Sequence, residues 1–243
     1  NTFTRARFET IDVLDADGDG YPDWFSSSSH TDVERAVVSG INSNWRLPRG
    51  PRNFTVPIDR CGYTLACIAS VISTQIARCG DSVVLPPGTY TGCWSSRRFV
   101  VGKSVRIVGG GASRDDVIID CSSVAATPFE DGSILFAVEE ERVELVLDSL
   151  TIIGGTSPET SFGGGLLTVS HGSLVLSSVV IRNATSVTAD QLSVAAPVVG
   201  FGGAILVGDR GSLKVIDSLL DANTAQHSGG AIAAVGNSMS ITL

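Results

Sequence analysis

Aliphatic runs that repeat between glycine turns constrain the fold of this chain more than any other feature of its sequence. One motif occurs three times, at spacings of 39 and 27 residues, as GGGLLTV from Gly163, GGAILVG from Gly202 and GGAIAAVG from Gly229. A second motif alternates with it, and its Asp/Ser-containing step places three residues at apparently equivalent positions, Asp148, Ser178 and Asp217. A period of about 25–40 residues built from strands and turns predicts a solenoid, in which each repeat buries its apolar face only against its neighbours.

The short runs of Val, Ile, Leu, Ser and Thr are predicted to be β-strands. Hydrophobic residues make up 43% of the 243 residues and charged residues only 17%, which indicates a buried aliphatic core rather than a disordered chain. The 27 glycines suit many tight turns. The predicted strands are residues 83–85, 104–108, 117–119, 134–138, 143–153, 166–169, 174–181, 204–207, 213–220 and 231–234.

One helix is predicted before the first of these strands, from Thr64 to Arg78. Apolar residues recur there at spacings of three and four, which places them on one face of a helix: Leu65, Ile68, Ile72 and Ile76. Thr64 can cap the N-terminus of the helix, and Gly80 follows as a stop signal.

The five cysteines are disulfide candidates rather than a zinc site, because none forms a CxxC pair. They are Cys61, Cys67, Cys79, Cys93 and Cys121. A straight helix would hold Cys67 and Cys79 about 18 Å apart, too far for a bond between them. Cys79 therefore pairs with Cys61, Cys93 or Cys121, or stays free, and the connectivity remains open. Disulfides predict an oxidising compartment.

The segment IASVISTQIARCGDSVVLPPGTYTG, followed by KSVRIVGGGASRDDVIIDC, resembles the opening of pectin-lyase-like proteins. The later GGAI motifs, with LDAN ending at Asn223, resemble the repeats of polymorphic outer membrane proteins. These resemblances cover residues 64–243. They imply an all-β solenoid, a right-handed parallel β-helix with an N-terminal capping α-helix. We expect this domain to span residues 59–243 and to continue beyond Leu243.

The N-terminal residues 1–58 are predicted to be an irregular segment that carries an acidic calcium loop. The sequence DADGDGYPD places four carboxylates within nine residues, on Asp15, Asp17, Asp19 and Asp23. Alternate carboxylates separated by glycine can surround one hard cation, and we expect Ca²⁺. The loop is similar to the calcium loops of thrombospondin type-3 and dockerin repeats, and that resemblance implies the carbonyl of Tyr21 as a fifth ligand.

Catalytic residues are not predicted. Enzymes of the pectin-lyase-like class carry paired aspartates with Gly-His-Gly and Arg-x-Lys, or two aspartates with an arginine, and this chain lacks those patterns. Asp115-Asp116 is the single adjacent aspartate pair and fits a solvated turn, with an acid/base pair as the alternative. The three histidines, His30, His171 and His227, are scattered and are interpreted as exposed residues.

Composition and motifs together predict an extracellular or cell-surface protein. A net charge of −8, with Lys103 and Lys214 as the only lysines, disfavours nucleic acid and anionic membranes as partners. No stretch is long and apolar enough for a transmembrane helix. The sequons Asn53-Phe-Thr55 and Asn183-Ala-Thr185 permit N-glycosylation of a secreted eukaryotic chain.

The expected function is that of a non-catalytic structural or adhesive module in a surface or filamentous assembly. Its expected partners are further copies of the chain, neighbouring domains or subunits, and glycans. The alternative is a polysaccharide lyase or hydrolase of the pectin-lyase-like class. Convergence of several carboxylates and basic groups on one groove would favour the enzyme.

Overall fold

The computed structural model describes residues 51–73, 77, 79–93, 99–123, 135–158, 166–187, 201–226 and 228–243. All of them belong to one compact unit, Pro51–Leu243. The predicted calcium loop at residues 15–23 lies outside the described residues.

The described residues form an all-β structure of four sheets, with two short helices. Neighbouring strands in every sheet are parallel. The seven strands of sheet A, in spatial order, are β1 (Asn53–Thr55), β2 (Ser82–Leu85), β5 (Val105–Gly109), β8 (Glu144–Asp148), β12 (Ser173–Ser177), β16 (Ser212–Ile216) and β20 (Ser240–Thr242).

Three smaller sheets complete the structure. Sheet B consists of β3 (Gly88–Tyr90), β6 (Val117–Asp120), β9 (Thr151–Ile153), β13 (Val180–Arg182) and β17 (Leu219–Asp221). Sheet C consists of β10 (Thr156–Pro158), β14 (Thr185–Val187) and β18 (Thr224–Ala225). Sheet D consists of β4 (Phe99–Val100), β7 (Phe136–Val138), β11 (Leu167–Val169), β15 (Ile205–Val207) and β19 (Ile232–Ala234).

The chain visits the sheets in a fixed order, so that each strand pairs with the strand one pass earlier and one pass later. From β8 it runs through β9 in sheet B, β10 in sheet C and β11 in sheet D, and returns to sheet A at β12. The strands of the glycine motif pair in parallel, with Leu167 opposite Ile205 and Ile205 opposite Ile232. This arrangement fits a β-helix-like fold, and the parallel pairing predicted for these strands is confirmed.

Aliphatic side chains stack in columns inside the four sheets. In sheet A, Leu147 lies opposite Leu176 and Ile107 lies opposite Leu147, and none of the three is exposed to solvent. Phe136 and Leu167 continue the core in sheet D. Full burial of each such side chain contributes about 1.5–3 kcal/mol. The alternation of buried and outward residues along the strands therefore fixes their register.

Sharp corners between sheets were not predicted from the sequence. The runs 143–153, 174–181 and 213–220 each divide into two strands, at residues with left-handed backbone: Ser149, Ser178 and Asp217, with φ of 55°, 54° and 46°. Asp148 pairs with Ser177, so it is not equivalent to Ser178 and Asp217 as its motif suggested. The register makes Ser149 the residue equivalent to Ser178 and Asp217, because each of the three directly follows the last residue of its strand in sheet A.

The predicted helix is present but shorter than expected. Helix α1 (Ile58–Cys61) precedes helix α2 (Leu65–Ser73), whose apolar face, including Leu65, Ile68 and Ile72, is buried. Thr64 caps α2, because its Oγ1 accepts a hydrogen bond from the Cys67 amide at 3.3 Å. Ala77 is not helical, and its amide donates a hydrogen bond to the carbonyl of Val71 rather than to that of the residue four positions earlier. Ile76 and Arg78 lie outside the described residues.

Candidate functional site

The outward face of sheet A, with its corner toward sheet B, gathers ionisable groups from different passes of the chain. Alternate residues of β5 and β8 point away from the core, which places Arg106, Val108, Val146 and Asp148 on this face. Acidic and basic side chains from separate passes meet here, so it is the first place to look for chemistry.

Arg106 and Asp148 form an ion pair across neighbouring strands. Arg106 Nη2 donates to Asp148 Oδ2, and Asp148 Oδ1 accepts a second hydrogen bond from the Ser149 hydroxyl at 3.0 Å. The arginine side chain is half exposed, whereas the aspartate side chain is mostly buried. Both carboxylate oxygens of Asp148 are therefore engaged, and the pair links β5 to β8.

The Asp115-Asp116 pair lies in a 3-10 turn, Arg114–Asp116, between sheets A and B. Asp116 closes a capping box, because its carboxylate accepts from the Ser113 amide at 2.8 Å. Asp115 accepts a hydrogen bond from the Thr151 hydroxyl at 3.2 Å. Both carboxylates therefore accept hydrogen bonds that hold this turn.

The same turn carries Arg114 along the outside of the stack. Arg114 Nη1 donates to the carbonyl of Asp217 at 3.2 Å, although the two residues are 103 positions apart. Asp217 occupies a corner equivalent to that of Ser149. Arg114 therefore ties the turn to a later pass of the chain.

A second ion pair lies at the beginning of sheet A. Asp81 is almost fully buried and accepts from the Arg52 amide at 2.9 Å and from Arg52 Nη2 at 3.2 Å. The guanidinium also lies over the ring of Phe54, 4.5 Å from its centroid. Arg52 and Asp81 thus join the segment before β1 to the segment before β2.

In the described part of the chain, the pKa values of two groups are displaced from their usual range. Burial raises the pKa of Tyr90, and the neighbouring Tyr63 adds to the rise. Burial also lowers the pKa of Lys103, against the opposing influence of Asp81 and Cys79. Lys103 Nζ donates to the Ala77 carbonyl at 2.6 Å, and the Tyr90 hydroxyl donates to the Pro86 carbonyl at 2.9 Å. Both groups serve the packing around α2 and β3.

The cysteines form two disulfides, Cys61–Cys67 and Cys93–Cys121, and leave Cys79 as an exposed thiol. This is one of the connectivities that the sequence left open. Cys61–Cys67 joins the two helices. Cys93–Cys121 joins the segments that follow β3 and β6, so it connects two successive passes of the chain.

The remaining candidate residues are dispersed. Asn53 and Asn183 are exposed, on β1 and at a corner between sheets B and C, respectively. His171 lies at another corner, while His30 and His227 are outside the described residues. Within the described ranges, no group of three or more His, Cys, Asp or Glu side chains could hold a metal ion. Asp15, Asp17, Asp19, Tyr21 and Asp23 are not among these ranges.

Sequence reasoning missed the Arg106–Asp148 pair and the role of Thr151. The signal lay in the period, because Arg106 and Asp148 both occupy outward positions of strands one pass apart. Predicting this ion pair requires the exact register between β5 and β8, which the sequence does not show because the end of β8 at the Ser149 corner was not predicted.

No family model, curated protein or solved structure significantly matches this chain. The class that the coordinates define is an all-β protein of parallel strands in stacked sheets. None of the helices in the described residues is long and apolar enough to cross a membrane.

Proposed function

We propose that this chain is a right-handed parallel β-helix, capped by α2, that acts as a non-catalytic structural or adhesive module of an extracellular assembly. The observation that carries the proposal is the use made of its charged side chains. Arg106–Asp148, Arg52–Asp81 and Asp115–Thr151 each join segments from different passes of the chain. These three carboxylates, of Asp148, Asp81 and Asp115, are engaged in contacts that hold successive passes of the chain together.

The disulfides support an extracellular location. Cys93 and Cys121 are buried, and their bond connects two passes of the stack. A bond of this kind persists in oxidising compartments, whereas reducing ones break it. An extracellular or cell-surface location is therefore the environment in which the disulfides can persist and stabilise this stack.

The last strands of the sheets support an assembly role. Leu219 on β17 is 50% exposed, and Ile216 and Ile241, at the same end of the stack, are also exposed. Leu219 and Ile241 lie on the edge strands β17 and β20, whose outer backbone groups can accept another strand. At the opposite end, α2 buries its apolar face against the core. We infer that the edge formed by β17 and β20 receives a further β-structured partner, either a second copy or a neighbouring domain.

The first test concerns catalysis. Purified protein with calcium is incubated with pectin, pectate and alginate, and the release of unsaturated or reducing ends is measured. We expect none beyond a heat-denatured sample, with a commercial lyase as positive control. Turnover near the enzyme median of about 10 per second would overturn the non-catalytic proposal.

The second test concerns assembly. Sedimentation velocity is measured over a range of protein concentrations, and we expect association that weakens in Leu219→Lys. Val100→Lys is the matched control, because Val100 is 41% exposed and lies on β4. β4 is the edge strand of sheet D at the end of the stack away from β19, and so away from the proposed interface. A monomer at every concentration, or an equal effect of both variants, would count against self-association at this edge.

The calcium loop forms the third part of the proposal. Four carboxylates, on Asp15, Asp17, Asp19 and Asp23, would bind one Ca²⁺ together with the Tyr21 carbonyl and order the part of the N-terminal segment that precedes Pro51. Calorimetric titration should show binding heat that is lost in the double variant Asp17→Ala, Asp19→Ala. Limited proteolysis in chelator should then cut the N-terminal segment and spare Pro51–Leu243. An unchanged digest without binding heat would return the loop to a solvated turn.

A further inference from the structure

We propose that Asn183 carries an N-linked oligosaccharide, at a corner of the fold that leaves room for one. The inference rests on the extracellular location proposed above. Asn183 begins the sequon Asn183-Ala184-Thr185, and its side chain is exposed. Its φ of 59° places it at the turn between sheets B and C, where the backbone changes direction.

The residues beside Asn183 in the neighbouring passes are small. The Gly154 amide donates to the carbonyl of Arg182, and the Asn183 amide donates to the carbonyl of Asp221. These bonds set Gly154 and Ala222 on either side of Asn183 in one corner column, and all three have positive φ. No side chain longer than a methyl group therefore stands beside Asn183 in this column.

The side-chain amide of Asn183 has no structural task among the described residues, in contrast with Asn223. Asn223 Oδ1 accepts from the Ala184 amide at 3.0 Å, and its Nδ2 donates to the Ile181 carbonyl at 2.9 Å. Asn223 thus fastens one pass to the next. The Nδ2 of Asn183 can be modified without breaking any hydrogen bond described for the fold.

The reaction is a group transfer. Asn183 Nδ2 forms a bond to the anomeric carbon of an oligosaccharide while the bond from that carbon to a lipid pyrophosphate breaks. The lipid pyrophosphate leaves, and one amide proton is released. The donor is a lipid-pyrophosphate-linked oligosaccharide, and the Thr185 hydroxyl supplies the third position of the sequon.

The test is secretion of the full chain from a eukaryotic host, behind a secretion signal and a tag that carries a reporter sequon. Peptide mass mapping with and without peptide N-glycosidase should show a glycan on Asn183. Thr185→Ala should lose that glycan and Thr185→Ser should keep it. A bare Asn183 on molecules whose reporter sequon is occupied would overturn the proposal.

The corner column provides matched positions for a second test. Ala222→Asn creates a sequon that ends at Thr224, and Gly154→Asn creates one that ends at Thr156. A Cβ at Gly154 would lie 2.7 Å from Ser122 Cα, whereas Ala222 already carries a Cβ. We expect Ala222→Asn to be secreted with an extra glycan and Gly154→Asn to lose secretion. Loss of secretion in both would show that the corner does not accommodate a glycan.

Because the host supplies the secretory route, these experiments test whether Asn183 accepts a glycan, whatever the location of the native chain. Fractionation of native material tests the extracellular location separately. A glycan in the host with native protein inside the cell would refute the extracellular location and glycosylation of the native chain, and would leave Asn183 as an acceptor site only. A bare Asn183 in the host would refute the site and leave the extracellular location standing.

Discussion

Gly203→Ala is expected to destabilise the protein strongly, because the glycine motif brings backbones of different passes into close approach. A Cβ on Gly203 would lie 2.1 Å from the carbonyl oxygen of Gly230 and 2.6 Å from that of Thr224. Ordinary contact begins at 3.4 Å, so backbone atoms would have to move by about 1 Å. Gly203 has no positive φ, so alanine adds no left-handed backbone strain there and the close contact is what the variant tests.

The magnitude follows from the rigidity of the obstructing atoms. Overpacking a core costs typically about 1–3 kcal/mol, and backbone carbonyls cannot rotate away as side chains can, so we expect about 3 kcal/mol. For a protein of this size that corresponds to a fall in Tm of roughly 6–12 °C. Gly230→Ala is the matched control, because Gly230 is exposed and its Cβ would meet only Asn223 O, at 3.1 Å. Its expected cost is below about 1 kcal/mol.

Thermal unfolding followed by circular dichroism measures both variants. Hydrogen exchange at the amide of Ile205, which donates to the Ala231 carbonyl at 2.9 Å, reports the local effect. We expect faster exchange there in Gly203→Ala and little change in Gly230→Ala. Equal shifts in Tm for the two variants would refute the argument from close approach.

Burial raises the pKa of Tyr90, so above pH ~10 this tyrosine ionises in the unfolded state but stays protonated in the folded state. The free energy of unfolding should therefore fall as the pH rises through this range. Tyr90→Phe should remove this contribution to the pH dependence, as measured by urea unfolding at about pH 9–11. The buried Ser186 hydroxyl has no hydrogen-bond partner in the described part of the chain, so Ser186→Ala should leave the free energy of unfolding unchanged or raise it by up to ~1 kcal/mol. Thr151→Val removes a buried hydroxyl whose single proton is shared between the Arg114 carbonyl at 3.1 Å and Asp115 Oδ1 at 3.2 Å, and should lower the free energy of unfolding by about 1–3 kcal/mol. The opposite order of the two variants in urea unfolding would contradict both expectations.

The parallel strands were predictable because inward packing repeats along the sequence. Leu167, Ile205 and Ile232 share one column, and the 27-residue spacing of the glycine motif predicts the pairing of Ile205 with Ile232. The 39-residue spacing is wrong by one residue, because it would place Leu166 rather than Leu167 opposite Ile205. An aliphatic side chain that must stack on its counterpart leaves a periodic trace in the sequence. The start of α2 was predictable for a similar reason, because Thr64 is a strong N-cap followed by an apolar face.

The corners were not predictable, because non-glycine residues adopt left-handed backbone there. Ser and Asp are common in turns, but Ser149, Ser178 and Asp217 stand inside aliphatic runs that indicate continuous strands. What holds them is the stack: the Ser149 amide donates to the Ser177 carbonyl, and the Ser178 amide to the Ile216 carbonyl. Bonds between passes, rather than local preference, set φ at these positions. Because the position of the corner at Ser149 could not be predicted, neither could the register that brings Arg106 to Asp148.

Residue type varies more along the corner column of Asn183 than along the inward columns. Corners are therefore the part of the molecule where a functional side chain can be introduced. Inward positions such as Leu147 and Leu176 must match their neighbours in volume, since the core is close-packed. One corner instead holds Gly154, Asn183 and Ala222 at equivalent places: the two later passes carry a side chain there, whereas a Cβ at Gly154 would meet Ser122. A chemically distinct group can therefore enter a single pass without disturbing the stack. Asn183, an exposed amide between two small neighbours, is such a group, and this freedom is why we assign a modification to the corner.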